Sequence, residues 1–384
     1  MSRLATCRRQ QDFSLMELMV SIVIGMFSVV VILQVLGSTA TSRRIAVGGG
    51  DAQLNSVASL RALALDVEHA GLGLQSFNIS GCTLGYTTSQ DAAAVTLPAL
   101  APVIVNPANS VIPSGDTSTD TLLIASGNSG SPSEGDAVTM TTTTTAYVVT
   151  TPDSFFVGDQ VIAAPATRAV PCALQVARVT AKSGSSMTVT GGTTGLTAGS
   201  IVYNLGGAPS VRAYAIRNGD LVVCDYLLYN CGSAAYADTY ANTGNSPAWV
   251  PVASNIVSMR VQYARDTSGI SGATSAMDGV VDTYDQVTPT AATIPLYCAW
   301  ARVIGVRLAL VARSQQFDKT APTTTAPVWD GTLKPNGTTD LPIALDNFST
   351  WQNYRYTLVQ TMIPIRNAIW QGGQPTYQGG AGAC

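Results

Sequence analysis

The feature that most constrains this chain is a long apolar stretch near its amino end, from Phe13 to Leu36. The stretch carries one formal charge, Glu17. From Leu18 to Leu36 it has about the length that a helix needs to cross a hydrocarbon core of ~30 Å. Three arginines precede it, and the positive-inside rule then predicts a cytoplasmic amino end and an exported remainder.

A carboxylate inside such a segment is costly in free energy and points to a function and a partner. The octapeptide FSLMELMV, Phe13 to Val20, places Glu17 four residues after a Phe that follows a short basic leader. This arrangement resembles the start of type IV pilins and pseudopilins. The resemblance implies that a prepilin peptidase cleaves between Asp12 and Phe13 and methylates the new amine of Phe13. Asp12 stands where the family normally has Gly, which predicts slower processing.

Helical spacing continues beyond the apolar stretch. Gly48 to Gly50 predict a local melt or kink, because each Gly costs ~1 kcal/mol in a helix relative to Ala, and Asp51 could cap a restart. The next turns carry an apolar stripe that we expect to lie on a folded head. The stripe consists of Leu54, Val57, Ala58, Ala64 and Leu65. A long spine, half in the membrane and half against a head, is what the pilin resemblance implies.

The rest of the chain has the composition of an exported β-rich protein. Charged residues make up 11% and the net charge is −3, which argues against a polybasic nucleic-acid surface. The predicted fold class is α+β: a long N-terminal pilin-type helix, with a membrane-spanning half and an amphipathic half, packed on a large β-rich globular head. The predicted domains are a basic leader (1–12), a transmembrane and assembly helix (13–36), its amphipathic continuation (37–73) and a periplasmic head (74–384) with an inserted β region at about 81–204.

Runs of β-forming residues, separated by Pro, Gly and Ser, predict the strands of the head. Asn218-Gly219 is a strong signal for a type I′ hairpin turn. The candidate strands are Thr119–Ala125, Ala137–Thr150, Asp159–Ala164, Ala173–Thr180, Met187–Thr190, Ile201–Leu205, a hairpin within Val211–Tyr229, Asn255–Arg265, Trp300–Arg313 and Tyr354–Pro364.

Short segments along the head extend the resemblance, and they occur in family order. They are similar to PilW-type minor pilins. The segments are Asp66 to Gly71, Phe156 to Val161, Cys172 to Val176, Val257 to Tyr263, Val303 to Arg313, and Tyr354-Arg355-Tyr356-Thr357 with Ile365-Arg366-Asn367.

Six cysteines would remain after removal of a leader that contains Cys7. An even number in an exported domain predicts disulfides but leaves several connectivities open. We expect a local Cys224–Cys231 bridge, because a short loop closes that spacing easily. The other four are expected to pair among themselves: Cys82, Cys172, Cys298 and Cys384.

No nucleotide-binding or hydrolase motif occurs, and the sequence predicts neither an enzyme nor a cofactor. Four aspartates near a Gly/Ser-rich loop are weak candidates for calcium binding. They are Asp266, Asp278, Asp282 and Asp285. Their spacing does not match an EF-hand, so a solvated acidic loop is the preferred interpretation.

The resemblance predicts a structural minor pilin that anchors once in the inner membrane and then enters an extracellular type IV pilus, at the initiating tip. Its expected partners are other minor and major pilins, met through the N-terminal helix, the prepilin peptidase, the inner membrane and the pilus assembly platform. Three alternatives stay open: a minor pseudopilin of type II secretion, a tip adhesin or DNA-capturing module that uses the 81–204 region, and a membrane-anchored periplasmic enzyme.

Overall fold

The structure, a computed structural model, describes residues 14–74, 76–132, 134–140, 145–237, 248–268, 277–332, 341–346 and 348–367. Asp12, Phe13 and Cys384 lie outside these residues, so the predictions made for them are not addressed by it. The chain divides into two compact units, Met1–Gly50 and Asp51–Cys384. The boundary follows the run of three glycines.

The first element is one long helix, α1 (Leu15–His69). It stays helical through Gly48–Gly50, so the local melt expected there is not found. Extending an existing helix adds one hydrogen bond for each residue fixed, which offsets the cost of the glycines. The part from Leu15 to Gly37 has a mean hydropathy of 2.6 and is long and apolar enough to cross a membrane.

The face of α1 that meets the head is not the predicted apolar stripe. Leu54 and Val57 are 71% and 51% exposed, and Leu65 is also exposed. Of the predicted stripe, Ala58 is exposed as well and Ala64 is buried. The expectation was therefore wrong for most of its members, and an apolar stripe remains uncovered on the outer side of this part of the helix.

Small and polar residues form much of the buried face instead. Ala52, Ser56, Ser59, Leu63 and Val67 are all buried, at a spacing of three or four residues. The Ser56 hydroxyl donates to the Gln53 carbonyl (2.8 Å) and the Ser59 hydroxyl to the Asn55 carbonyl (2.6 Å). Both buried hydroxyls are thus satisfied within the helix, and their small size lets the helix backbone approach the head closely.

The described residues of the head form seventeen strands and two short helices. The strands are β1 (Thr83–Thr87), β2 (Ala94–Leu97), β3 (Val103–Val105), β4 (Leu122–Ser126), β5 (Asp136–Ala137), β6 (Ala146–Val148), β7 (Gln160–Ala164), β8 (Ala173–Ser183), β9 (Ser186–Gly191), β10 (Ile201–Gly206), β11 (Ser210–Arg217), β12 (Asp220–Asp225), β13 (Trp249–Ala253), β14 (Ile256–Arg265), β15 (Thr283–Asp285), β16 (Val303–Arg313) and β17 (Tyr356–Pro364). The helices are α2 (Ala234–Ala237) and α3 (Leu296–Ala301).

The strands form three sheets. The first has the order β2-β1-β8-β7-β10-β5, with β9 paired to β8 and β6 to β9. The second has the order β13-β12-β11-β4-β3, and the third β15-β14-β16-β17. The range 81–204 therefore supplies strands to two sheets, because β4 pairs with β11, and β3 pairs with β4 at the edge of the second sheet.

The third sheet begins differently from the prediction. The expected strand from Trp300 to Arg313 starts only at Val303, because Trp300 and Ala301 belong to α3. Trp300 is nearly fully buried, and its ring packs edge-on against Tyr263 of β14, with 6.2 Å between centroids. The first residues of the predicted strand thus belong to α3, which packs against the sheet.

One continuous hydrophobic core joins the head-facing side of α1 to all three sheets. Leu63 of α1, Leu123 of β4 and Leu308 of β16 belong to it and are almost completely buried. A separate cluster fills the part of the first sheet around β5 to β10, and another covers the third sheet with Trp329 at its centre. The end of α1 is therefore integral to the head.

Candidate functional site

The first candidate surface is the amino-terminal part of α1. Side chains from Leu15 to Leu36 are exposed along the helix, and none of the residues in its apolar window is buried within the structure. Glu17 lies in the first turn and is exposed, and its backbone N–H donates to the Ser14 carbonyl (2.9 Å). A continuous apolar surface of this size on a soluble protein marks a contact with lipid or with other helices.

The second candidate region is the attachment of the end of α1 to the head. Asp66 accepts two hydrogen bonds from Nη1 of Arg212 on β11, at 3.0 and 2.9 Å. The hydroxyl of Tyr214 donates to the same carboxylate. Burial, together with the Asp66 carboxylate beside it, raises the pKa of Tyr214 well above the usual value of a tyrosine. The phenol therefore stays a donor, and Asp66 is held from two positions of one strand face.

The last turn of α1 is also held by residues that follow β17. Arg366 forms an ion pair with Glu68 (3.0 Å). The Asn367 amide donates to the carbonyls of His69 (3.2 Å) and Ala70 (2.8 Å). These are carbonyls that a helix end leaves without an intrahelical partner. Asn367 thus acts as a cap supplied from the far end of the sequence.

Gly71 completes the attachment. Its N–H donates to the Ala125 carbonyl of β4 (2.8 Å), and its φ of +82° lies in the left-handed region that favours glycine. A Cβ on Gly71 would stand 2.8 Å from Cγ of Pro102. The helix end consequently contacts the second sheet through Ala125 and the third sheet through the residues after β17. Any larger residue at position 71 would displace both.

The structure contains two disulfides between described cysteines. Cys82 is bonded to Cys172, and Cys224 to Cys231, the local pair that the spacing predicts. The first bridge stands where β1 and β8 begin to pair in parallel, at Thr83 opposite Ala173. Cys298 is disulfide-bonded as well. The Cys82–Cys172 bridge fixes a pairing between distant segments, whereas Cys224–Cys231 closes a local loop.

The four candidate aspartates are held separately. Asp266 is fully buried, accepts from the N–H groups of Ser268 (3.0 Å) and Gly279 (2.8 Å), and lies 3.7 Å from Arg302. Asp278 accepts from the N–H of Val280. Among the residues that the structure describes, no group of three potential metal ligands comes together.

The remaining two aspartates have protein partners of their own. Asp285 pairs with Arg265 at 2.9 Å. Asp282 accepts from the N–H of Thr267 (2.7 Å), and this hydrogen bond is the main cause of its lowered pKa. Each carboxylate thus stabilises a turn or an arginine, which is the role of structural aspartates in a loop.

The comparisons with known proteins concern the carboxy-terminal half of the head. Residues 227–367 match the family of type IV pilus-assembly protein W, PilW. The predicted resemblance to PilW proteins is confirmed by this match, which contains the predicted segments from Val257 onward. The PilW segment includes the whole third sheet and ends at Asn367, the residue that caps α1. No curated protein and no solved structure matches the chain.

The attachment site was only partly foreseeable from the sequence. The segments from Asp66 to Gly71 and from Ile365 to Asn367 already resemble PilW proteins, and the structure brings them into contact. Arg212 and Tyr214 were missed as partners of Asp66. Their signal was their spacing of two on a strand, which places both side chains on one face.

Proposed function

We propose that this chain is a non-enzymatic minor pilin that α1 anchors in the inner membrane, with its head in the periplasm, and that enters the type IV pilus. One observation carries the proposal. The head segment that matches the pilus-assembly family holds the end of a helix whose other end is apolar and exposed. An anchor and a family-specific head are thereby joined in one chain.

The helix offers two surfaces to other subunits. Its amino-terminal part presents apolar side chains on every side, suited first to lipid and then to the helices of neighbouring pilins. Its head-attached part presents the outer stripe around Leu54 and Val57, which the head leaves uncovered. Burying this stripe against helices of adjacent subunits would contribute free energy in proportion to the apolar area removed from water.

Glu17 supplies the register of assembly in this proposal. After cleavage between Asp12 and Phe13, the new amine would be positive and one helical turn away from the Glu17 carboxylate. The carboxylate pairs with the amine of its own subunit or with that of the next subunit. Opposite charges in an apolar surrounding favour one axial offset, because any other offset leaves a charge unpaired.

The size of the head supports a place at the initiating tip. A head of three sheets is bulky, and many copies of it would be difficult to pack side by side around a narrow core of helices. A minor pseudopilin of type II secretion would use the same anchor and the same processing.

Mass spectrometry of protein from sheared pili tests the proposal. We expect the chain in pili at low copy number, beginning at Phe13 with a methylated amine. Finding only intact chain in assembled filaments would contradict the processing step. Absence from pili together with secretion defects in a deletion strain would favour the pseudopilin. The variant Asp12→Gly should mature faster, because it removes a charged side chain where the peptidase normally meets glycine.

A further inference from the structure

We propose that a groove on the head binds a neutral oligosaccharide. The groove has a volume of about 400 Å³ and lies where the segment before β5, the turn before β7 and the end of β10 meet. Its lining includes Asn128, Ser129, Asp159, Phe156 and Gly207. This inference concerns a surface remote in sequence from the assembly helix, and it stands independently of the proposed pilin role.

A recessed carboxylate provides an open hydrogen-bond acceptor in the groove. Asp159 is only 6% exposed. Its Oδ2 atom accepts from the N–H of Phe156 and from the amide of Asn204, both at 2.8 Å. Its Oδ1 atom receives no hydrogen bond from the described residues and lies beside Gly207. Solvent reaches this oxygen, and a ligand hydroxyl entering the groove would replace water as its donor.

One of the two glycines at the end of β10 keeps this acceptor accessible. A Cβ on Gly207 would stand 3.6 Å from Oδ1 of Asp159, so a longer side chain there would cover the carboxylate. Gly206 has a φ of +87°, and a Cβ on it would collide with the side-chain oxygen of Asn128. The exposed Gly207 therefore leaves bare backbone beside the carboxylate, which a ligand can approach closely, whereas the Asn128 side chain covers the buried Gly206.

An exposed aromatic ring stands at the edge of the groove. Phe156 is 68% exposed, yet its backbone is fixed through its N–H bond to Asp159 and through the turn at Gly158, whose N–H donates to the Val179 carbonyl (2.8 Å). The Lys182 ammonium lies 5.8 Å from the ring centroid and donates to the Phe155 carbonyl. An exposed ring on a fixed backbone offers a flat apolar surface to the C–H face of a sugar.

Hydroxyl groups that line the groove are held in place by hydrogen bonds. The Ser129 hydroxyl donates to that of Ser131 (2.8 Å), and Ser131 donates to the Ser154 carbonyl (2.7 Å). The amide of Asn204 also reaches the Ser131 oxygen (3.2 Å). A set of small polar groups in fixed positions, in the same groove as an aromatic ring, suits a ligand that is rich in hydroxyls and has one apolar face.

Charge decides between neutral and anionic ligands. Among the described residues that line the groove, Asp159 and the exposed Asp153 are the charged ones, and the Lys182 ammonium lies outside the lining, beyond the Phe156 ring. Two carboxylates would repel phosphates, uronic acids and nucleic acid. The groove therefore fits a neutral oligosaccharide better than an acidic polysaccharide or a DNA strand.

Isothermal titration calorimetry on the full chain in lipid nanodiscs tests this inference. The probes are cellohexaose, maltohexaose and chitohexaose, with an alginate hexasaccharide as the anionic comparison. Nanodiscs replace maltoside detergents because the sugar heads of those detergents would compete for the groove. We expect at least one neutral hexasaccharide to bind in buffer containing EDTA, and the alginate probe not to bind. Failure of all three neutral probes, or preferential binding of alginate, would overturn the inference.

Two neighbouring exposed residues provide matched variants. Phe156→Ala should weaken binding about tenfold, because it removes the stacking surface. Val157→Ala removes an equally exposed side chain that does not line the groove and should leave affinity within about twofold, as for a surface change away from a contact. Equal effects of the two changes would contradict the assignment. Pilus incorporation should be normal in both variants, so a failure here is distinguishable from a failure of the proposed pilin role.

Discussion

Asp66 of α1 and Arg212 of β11 are joined by a bidentate ion pair that holds the helix to the second sheet, with Nη1 of the guanidinium 3.0 and 2.9 Å from the two carboxylate oxygens. The relationship explains how a helix with a small and partly polar buried face stays on the head.

Asp66→Ala should lower the free energy of unfolding by about 1–3 kcal/mol, because the mostly buried Tyr214 hydroxyl loses a charged acceptor. Urea denaturation, followed by circular dichroism, measures the change. Arg366→Ala is the control. Arg366 also forms an ion pair with α1, through Glu68, but its side chain is 70% exposed. Exposed pairs contribute at most about 1 kcal/mol. A larger loss from the control would show that the ion pair after β17, and not Asp66, holds the helix.

The outer stripe of α1 should matter for assembly and not for folding. Leu54→Ser and Val57→Ser remove exposed apolar side chains, so each should change the free energy of unfolding by less than about 0.5 kcal/mol. The ratio of protein in sheared pili to protein in the membrane fraction should nevertheless fall. Leu63→Ala is the contrasting variant, because Leu63 is buried and its truncation should cost about 2–5 kcal/mol. Normal incorporation of both serine variants would rule out the stripe as a subunit contact.

Glu17→Ala should leave membrane insertion and head folding intact while sharply reducing entry into pili. In the proposed assembly, the substitution removes the charge that sets the axial offset between neighbouring helices. Glu17→Asp, which keeps the charge at a shorter reach, should be partly tolerated. The measurement is again the ratio of variant in pili to variant in the membrane. A wild-type ratio for Glu17→Ala would show that this carboxylate does not guide assembly.

The two disulfides should contribute unequally to stability. The Cys82–Cys172 bridge joins residues separated by 90 positions, whereas Cys224–Cys231 joins residues separated by 7. Chain entropy predicts losses of about 4.5 and 2.5 kcal/mol when the respective pairs are replaced by alanine or serine. Thermal denaturation of the two double variants, purified under identical conditions, gives the order. A larger loss for the short loop would mean that local packing outweighs chain entropy.

Asp282 should make the stability of the protein depend on pH in the acid range. The hydrogen bond from the Thr267 N–H lowers the pKa of Asp282 below its usual 3.8. A carboxyl whose pKa is lowered by folding stabilises the native state above its unfolded pKa, and the contribution disappears as the pH falls through the folded pKa. The difference in unfolding free energy between the native chain and Asp282→Asn should therefore be larger at pH 6 than at pH 2.5. A difference independent of pH would contradict this role.

Local sequence signals predicted local structure well. Asn218 and Gly219 have φ values of +53° and +77°, as a type I′ turn requires, and they join β11 to β12 in the predicted hairpin. The turn depends only on the ability of these two adjacent residues to adopt a positive φ, which the sequence itself reveals. The long apolar helix is likewise a property of a continuous segment.

Pairings between distant segments were not predictable in the same way. The parallel pairing of β1 with β8 joins Thr83 to Ala173, and nothing in either segment alone specifies the other. The buried face of α1 was misassigned because periodicity reveals an apolar face without saying which partner covers it. Ser56 and Ser59 gave no apolar signal, although their small size suits close packing.

The groove escaped prediction for a related reason. Asp159, Phe156 and Gly207 belong to different turns, and each has an ordinary role when considered alone. Only the fold shows that an open carboxylate oxygen, an exposed ring and a stretch of bare backbone line one groove.

The capping of α1 by Asn367 also determines how tension would travel through the protein. A pull on the helix reaches the carbonyls of His69 and Ala70 and passes through Asn367 to β17. It then spreads along the register that runs from Gly305–Pro364 to Arg313–Tyr356. Gly71 diverts part of the same load into the second sheet through Ala125. A retracting filament would thus load many backbone hydrogen bonds in two sheets at once, and the head would resist being stripped from its helix.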